Sequence, residues 1–241
     1  MDSITDAIPE NTMEVPPKYF RDRRDAGRSL AARLRQYANT PDVLVLALPR
    51  GGVPVAYEVA CALNAPMDLF LVRKLGVPGR EELAMGAIAT GGVRVLNEDV
   101  VRPLGIPEGV IDAVVAEERR ELSRRERLYR DDRPPPDVRG RVCILVDDGL
   151  ATGATMHAAI VALRQQRPAR VVVAVPVAAP EICERFRAEV DGIVCTITPS
   201  PFAAVGLWYQ DFSQTTDADV RDLLERAANR LREGGRAEGI E

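Results

Sequence analysis

The sequence predicts an α/β fold in which helices cover both faces of a parallel sheet. Short apolar runs at 43–48 and 142–146 are typical of buried strands. Segments with a helical spacing of apolar residues, such as 154–166, follow these runs. Strands that alternate with helices form parallel sheets, and strands buried on both faces are apolar throughout. We therefore expect a Rossmann-like parallel sheet at the centre of the molecule.

The predicted elements follow one another along the whole chain. Helices are expected at 20–38, 53–63, 108–130, 154–166, 180–189 and 217–232, and strands at 43–48, 69–72, 85–90, 93–96, 142–146, 170–177 and 192–198. Gly91-Gly92 indicates a hairpin between two of the strands. The stretch 73–84 is charged and contains glycine and proline, which indicates a loop.

Length and composition favour a single domain. The chain has 241 residues, of which 46% are hydrophobic, and can bury a sizeable core. We expect one domain over 1–241, with an arm at 1–19, a core at about 40–200 and a C-terminal part at 201–241.

Charge and hydropathy exclude several kinds of partner. A formal net charge of −4 argues against a basic surface for nucleic acid. The longest apolar run, 171–180, is interrupted by Pro176 and is too short to span a membrane. The N-terminal sequence lacks the apolar stretch of a signal peptide. We therefore expect a cytoplasmic protein that binds neither membranes nor nucleic acid.

The cysteine pattern indicates neither zinc nor disulfides. Cys61, Cys143, Cys183 and Cys195 are widely spaced in apolar stretches, without a CxxC pair, and the chain has one histidine. Zinc sites and disulfide frameworks usually show closer or paired spacings. We expect four reduced cysteines in the core.

The strongest functional signal is the segment VCILVDDGLATGAT at 142–155. A buried strand leads into Asp147 and Asp148, then into a turn of small and hydroxyl-bearing residues, then into a helix. The free N–H groups of a helix N-terminus bind phosphate, and small side chains let the backbone approach it. Adjacent carboxylates can accept hydrogen bonds from two vicinal hydroxyls or support Mg²⁺. A phosphate at one end and a diol at the other describe a ribose 5-phosphate, bound where the strands end.

This segment resembles the 5-phosphoribosyl 1-pyrophosphate (PRPP) signature of type I phosphoribosyltransferases, and the similarity extends over about 45–215. The resemblance implies the fold of that family, a Rossmann-like sheet with a small hood region. It implies that Asp147 and Asp148 bind the ribose hydroxyls, although Gly149 replaces the usual aliphatic residue. The family uses Mg²⁺ with PRPP, and we expect a homodimer. The residues expected around the 5-phosphate are Ala151, Thr152, Gly153, Ala154 and Thr155.

A second motif, Leu48-Pro49-Arg50-Gly51-Gly52, resembles the pyrophosphate loop of the same family. Its two glycines expose backbone N–H groups, and the guanidinium of Arg50 can bind phosphate oxygens in a bidentate manner. The family carries a cis peptide in this loop. We therefore predict a non-proline cis bond between Pro49 and Arg50.

The stretch from Arg73 to Glu82 resembles the mobile loop that closes over the reacting centre in this family. Lys74 is one of only two lysines in the chain and lies beside Arg73, with Arg80 further along. These cations can screen a departing pyrophosphate while the loop excludes water. The candidate catalytic residues are Arg73, Lys74, Asp147 and Asp148.

The segment 202–212 resembles the hood-side segment of 6-oxopurine phosphoribosyltransferases. By position Phe202 would stack on a base, with Trp208 and Tyr209 as rivals. Asp211 would approach the metal, directly or through water, as would the Asp147–Asp148 pair.

Two differences from these relatives leave the identity of the acceptor open. The 6-oxopurine enzymes read the purine oxygen with a lysine near the end of the preceding strand, and 175–180 contains none. Hypoxanthine-guanine relatives carry an Asp where this chain has Ala151. The charged segment 20–27 is also open, since it can pack across the hood or across a dimer interface.

The resemblance implies a Mg²⁺-dependent enzyme that transfers the phosphoribosyl group of PRPP to a nucleobase or similar nucleophile and releases pyrophosphate. The alternative is a non-catalytic PRPP-sensing regulator with the same fold. A nucleotide-binding Rossmann module of another class is a third reading, but the GxGxxG fingerprint is missing.

Overall fold

The computed structural model describes residues 19–130 and 133–237, so the predicted arm at 1–19 lies outside the described residues except for Tyr19. Its strands are β1 (Val43–Ala47), β2 (Met67–Leu69), β3 (Val72–Val77), β4 (Arg80–Ala89), β5 (Val93–Leu96), β6 (Val142–Val146), β7 (Arg170–Val177) and β8 (Gly192–Ile197). Five strands form a parallel sheet in the order β2-β1-β6-β7-β8. The predicted parallel sheet is confirmed.

Helices cover both faces of this sheet, as predicted. They are α1 (Arg23–Ala32), α2 (Gly52–Leu63), α3 (Glu98–Val101), α4 (Glu108–Arg130), α5 (Ala154–Gln165), α6 (Pro180–Arg187) and α7 (Asp217–Ala237). Val43 and Val45 of β1 pack into a core with α1, α2 and α7, whereas Leu44 and Leu46 pack into a second core with α5 and α6. Successive side chains of a strand point to opposite faces, so an unbroken apolar strand joins two helical layers. None of the helices in the described ranges combines the length and apolar character that crossing a membrane requires.

The stretch 73–84 is a β-hairpin, and its prediction as a loop is wrong. β3 and β4 pair antiparallel, and β5 extends them to a three-stranded sheet. Gly79, with a φ of +76°, makes the turn, and the register shifts around Gly76. The first four residues of β4 are exposed. These four residues have no buried face, so they need no alternation of apolar and polar residues, and the period-two signal is missing there.

The predicted helix at 20–38 is shorter in the structure and begins at Arg23. Asp22 caps α1, its Oδ1 accepting a hydrogen bond from the amide of Asp25 at 2.8 Å. The residues before the cap pair with the C-terminal segment, since the amide of Phe20 donates to Trp208 O at 2.9 Å and the amide of Gln210 donates to Phe20 O at 2.8 Å. The segment 20–27 therefore packs, through Phe20, against residues 202–213, which we call the hood.

Two cysteines differ from the prediction of four reduced thiols. Cys183 of α6 and Cys195 of β8 form a disulfide, so the prediction is wrong for this pair. They are 12 residues apart, and the packing of α6 on β8 brings them together without a CxxC spacing. Cys61 and Cys143 are free, and burial raises the pKa of the Cys143 thiol to about 12.

Candidate active site

The two sequence motifs leave the sheet side by side. β1 and β6 are parallel neighbours, with Ala47 opposite Val146 at their carboxyl ends. The amide of Leu48 donates to Val146 O at 2.9 Å, one residue beyond the paired strands. The Pro49–Gly52 loop and the Asp147–Asp148 pair therefore emerge at the same edge, where open α/β sheets bind ligands.

The loop glycines lie directly against the acidic pair. A Cβ atom on Gly51 would lie 2.1 Å from Asp148 Oδ2, and one on Gly52 would lie 2.6 Å from Val146 O. Larger residues would separate the loop from the carboxylates, so the close approach requires glycine at both positions. The peptide bond between Pro49 and Arg50 is cis, which confirms the prediction.

Arg50 links this loop to the start of α7. Its Nη1 lies 3.7 Å from Oδ1 of Asp217, the first residue of that helix. Asp217 Oδ1 also accepts a hydrogen bond from the Tyr129 hydroxyl at 2.5 Å. One carboxylate therefore connects the loop to both α4 and α7.

Burial and repulsion both act on the acidic pair. Burial raises the pKa of Asp147 well above its usual range, and the neighbouring charge of Asp148 raises it further. Burial also raises the pKa of Asp148, against the opposing effect of the guanidinium of Arg23. The amide of Asp148 donates to Asp147 Oδ1 at 2.8 Å, which fixes the first carboxylate. Such a pair is ready to accept hydrogen bonds or to bind a cation, since either relieves the buried charge.

Arg23 is a site residue that sequence reasoning missed. Its Nε donates to Asp148 Oδ2 at 2.8 Å, and its Nη1 donates to Ser213 O at 2.7 Å. The guanidinium carbon lies 3.9 Å from the ring centroid of Phe212. The residue belongs to the charged segment 20–27, and nothing in its local pattern distinguishes it from the other arginines there.

The turn before α5 provides a cradle for an anion. Gly153 has a φ of +72°, and a Cβ atom there would lie 2.6 Å from the ring of Phe186. Thr152 Oγ1 accepts from the amide of Ala154 at 3.4 Å, and α5 begins at Ala154. The first amides of a helix have no helical acceptor, which makes this end attractive to phosphate. Arg185 of α6 also reaches this turn, donating to Thr152 O at 2.9 Å.

The β3–β4 hairpin and α4 enclose a cavity of about 890 Å³ beside this turn. Lys74, Glu118 and Thr155 are among the residues that line it. Arg73 Nε donates to Glu118 Oε2 at 2.5 Å, and Lys74 Nζ lies 3.4 Å from Glu82 Oε2. The structure thus brings Arg73 and Lys74, two of the three predicted cations, to the cavity, each paired with an acid. Arg80 lines a separate pocket.

The aromatic residues predicted for the acceptor form part of a small hood core. Tyr209 is buried, and its hydroxyl donates to Asp148 O at 2.5 Å. Trp208 stacks on Tyr19, with ring centroids 5.8 Å apart. Phe202 is partly buried against the same cluster. Of the three, Tyr209 has the least surface to offer a ligand.

Asp211 lies beside Arg23, and Val205 lies beside Gly149, the residue after the acidic pair. Asp211 lines a cavity of about 270 Å³ together with Arg23. A hydrogen bond from the amide of Ser213 lowers the pKa of Asp211. A Cβ atom on Gly149 would lie 2.5 Å from Val205 Cγ1, so the hood packs at the position of the aliphatic side chain that the signature usually has. The glycine at position 149, where the signature usually has an aliphatic residue, therefore has a steric reason.

Comparisons with known proteins agree with this geometry. The phosphoribosyl transferase domain model matches residues 21–210, and the chain belongs to this family. A Mycobacterium tuberculosis protein named "Putative phosphoribosyl transferase Rv0571c" is 49% identical over 218 residues, which cover 90% of this chain and 49% of that protein. This chain thus spans about half the length of that curated relative.

A solved structure shows the same fold. The crystal structure of TT1426 from Thermus thermophilus has a TM-score of 0.79 and 45% sequence identity, and the match covers 86% of this chain and 98% of that chain. A uracil phosphoribosyltransferase from a Nocardioides species is 39% identical over 67 residues, 28% of this chain and 32% of that protein. The family and the fold are therefore established.

Proposed function

We propose that the protein transfers the 5-phosphoribosyl group of PRPP to a small nucleophile and releases pyrophosphate, with Mg²⁺ as cofactor. The observation that carries the proposal is the contact between the Gly51 backbone and the carboxylate of Asp148. It joins a loop suited to pyrophosphate to an acid pair suited to a diol, and the helix N-terminus at Ala154 starts on the same edge. PRPP carries the three matching groups on one ribose: a pyrophosphate, two vicinal hydroxyls and a 5-phosphate.

The donor set fits Mg²⁺ bound together with a phosphate ligand. Mg²⁺ usually takes one or two protein carboxylates, with water and substrate phosphates completing its shell. Asp147 and Asp148 supply two carboxylates, and Asp211 would act through water. No three acidic, histidine or cysteine side chains gather as a cation site in the described ranges, so the metal would arrive with the pyrophosphate. When bound, it would neutralise charge on the leaving group.

The residues of the chain would act mainly by binding and orientation. The lone pair of the acceptor forms a bond to C1 of the ribose while the bond from C1 to pyrophosphate breaks, and pyrophosphate leaves with that electron pair. Asp147 and Asp148 would fix the ribose, and the loop amides with Arg50 would stabilise the departing charge. Lys74 and Arg73 would add cations from the hairpin, exchanging their present acidic partners for phosphate oxygens.

The acceptor would bind between the ribose site and the hood. Phe202 and Trp208 offer aromatic faces for a flat ring, and stacking of a base on such a face contributes about 1–3 kcal/mol. Ala151 cannot move a proton, so any proton lost by the acceptor would pass to solvent or to pyrophosphate. A nucleobase or a similar nitrogen nucleophile fits these conditions. The short match to uracil phosphoribosyltransferases supports the donor half of this reaction.

The test is release of pyrophosphate from PRPP and Mg²⁺ across a panel of purines, pyrimidines and small amines. Release that depends on one acceptor supports the transferase and identifies its substrate. Tight PRPP binding in calorimetry without release across the panel would contradict transfer and favour a PRPP-sensing regulator. Absence of PRPP binding would contradict both functions.

A further inference from the structure

We propose that Arg23 is a positioning residue of the ribose site, which holds the Asp148 carboxylate in the orientation that accepts the ribose hydroxyls. The inference rests on the proposed function and extends it to a part of the chain that lies 125 residues from the acidic pair.

The Arg23–Asp148 contact differs from a surface ion pair because both side chains are mostly buried and the guanidinium has several partners. The side chains of Arg23 and Asp148 are 11% and 15% exposed. The guanidinium is fixed at three points, by Asp148 Oδ2, by Ser213 O and by the ring of Phe212. A guanidinium with several fixed partners holds its acceptor in one geometry, which a lysine or a solvated arginine does not.

The oxygen that Arg23 binds also lies against the loop. A Cβ atom on Gly51 would approach Asp148 Oδ2 to 2.1 Å. Arg23 and the loop backbone therefore both constrain the same oxygen, Oδ2. Without Arg23 this oxygen would lose its charged partner, and a partly buried carboxylate without a partner turns toward water. The diol site would then lose one of its two acceptors.

The competing explanation is that Arg23 only attaches the hood to the rest of the protein. Other contacts already make that attachment. The backbone bonds of Phe20 with Trp208 and Gln210 join the N-terminal segment to the hood. The Tyr209 hydroxyl joins the hood to Asp148 O. These bonds involve no atom of Arg23, so its loss should leave the hood in place and change the orientation of Asp148.

The experiment measures binding of ribose 5-phosphate and PRPP by calorimetry in the presence of Mg²⁺, and binding of pyrophosphate without Mg²⁺. We expect Arg23→Gln to lower the affinity for ribose 5-phosphate and PRPP about tenfold or more, because the loss of a hydrogen bond to a charged group has an effect of that size. Without Mg²⁺, pyrophosphate would contact the Pro49–Gly52 loop and not Asp148, so its affinity should stay within about twofold, the usual scatter for independent sites. Arg23→Lys should recover part of the loss. Arg28→Gln, a change on the same helix at an exposed ion pair with Asp25 and Glu58, is the control.

A double-mutant cycle separates positioning from stability. If Arg23 acts through Asp148, the variant with both Arg23→Gln and Asp148→Asn should bind ribose 5-phosphate about as well as Asp148→Asn alone. The proposal would be overturned if the losses of ribose 5-phosphate affinity in the two single variants multiplied in the double variant. It would also be overturned if Arg23→Gln weakened the binding of pyrophosphate and of ribose 5-phosphate equally. Full PRPP affinity in Arg23→Gln would overturn it too, whereas a wild-type protein that does not bind PRPP would contradict the proposed function itself.

Discussion

At the scale of single residues, the acidic pair shows a conflict between stability and binding. Burial and the charge of Asp148 both raise the pKa of Asp147, so the folded protein holds a carboxylate in surroundings that oppose its charge. A ligand that donates hydrogen bonds or brings a cation relieves this opposition. Such surroundings are typical of a residue that serves binding rather than stability.

Asp147→Asn should therefore weaken PRPP binding and stabilise the fold. Loss of charge-assisted hydrogen bonds should lower the affinity by about 1–3 kcal/mol. The amide keeps an oxygen for the bond from the Asp148 amide, and removal of a buried charge should raise the free energy of unfolding. Calorimetry and denaturant unfolding measure the two effects. Unchanged PRPP affinity would remove Asp147 from the ribose site.

Gly51→Ala tests the contact between loop and acid pair. The new methyl group must displace the carboxylate of Asp148, and overpacking of this kind costs about 1–3 kcal/mol. We expect PRPP affinity to fall about tenfold. The control is Gly109→Ala on α4, where a Cβ atom meets nothing within 4 Å. Equal affinity for the two variants would show that the loop has room to move.

Sequence reasoning reached those residues that lie within continuous motifs. Asp147, Asp148 and the loop glycines follow buried strands directly, so their neighbours reveal their position. Arg23 depends on packing between parts of the chain 125 residues apart, and no local pattern encodes that contact. The disulfide between Cys183 and Cys195 was not predicted for the same reason.

At the scale of elements, the β3–β4 hairpin brings its cations to the cavity from one side. Lys74 faces the cavity, whereas Arg80 of the same hairpin lines a separate pocket. If Lys74 acts on the departing charge, Lys74→Ala should lower kcat about tenfold to a hundredfold and leave PRPP affinity nearly unchanged. Arg80→Ala should keep wild-type kcat. Steady-state kinetics measures kcat, and calorimetry measures PRPP affinity. A loss of PRPP affinity in Lys74→Ala without a loss of kcat would contradict a role of Lys74 in stabilising the departing charge.

The contact between α4 and α7 should depend on pH. Burial and the hydrogen bond to Asp217 raise the pKa of Tyr129 to about 12. A pKa above the ordinary value of about 10 means that this group's stabilisation is complete below pH 10 and is lost as the pH rises through about 12. Tyr129→Phe should therefore be less stable by about 1 kcal/mol near pH 8, and the difference should shrink near pH 12. Denaturant unfolding at the two pH values measures it, and a constant difference would contradict the linkage.

Elements with a buried face were predictable, and the exposed hairpin was not. β1, β6 and β7 are unbroken apolar runs because both of their faces meet helices. The outer half of the β3–β4 hairpin is exposed, so composition suggested a loop where backbone pairing forms strands.

At the scale of the whole molecule, the hood closes on the sheet through a few close contacts. Val205 packs against Gly149 at the end of β6, so Gly149→Ala should destabilise the protein by about 1–3 kcal/mol. Val205→Ala added to Gly149→Ala should restore part of that loss, because it removes the closest clash while Val177 Cγ1 stays 3.0 Å from the added Cβ. Thermal unfolding of both single variants and the double variant measures the coupling. Additive destabilisation would show that the clash is relieved elsewhere.

The pairing of Phe20, Arg21 and Arg23 with the hood also has a consequence for how the protein is made. Phe20 and Arg21 accept backbone hydrogen bonds from Gln210 and Asp211, and Arg23 donates to Ser213 O. Translation therefore produces Arg23 early and its hood partners about 190 residues later. The parallel sheet can assemble while the ribosome is still elongating the chain. The candidate site at its edge becomes complete only after residue 213 has left the exit tunnel, so a nascent chain carries the acidic pair before it carries the hood that contacts it.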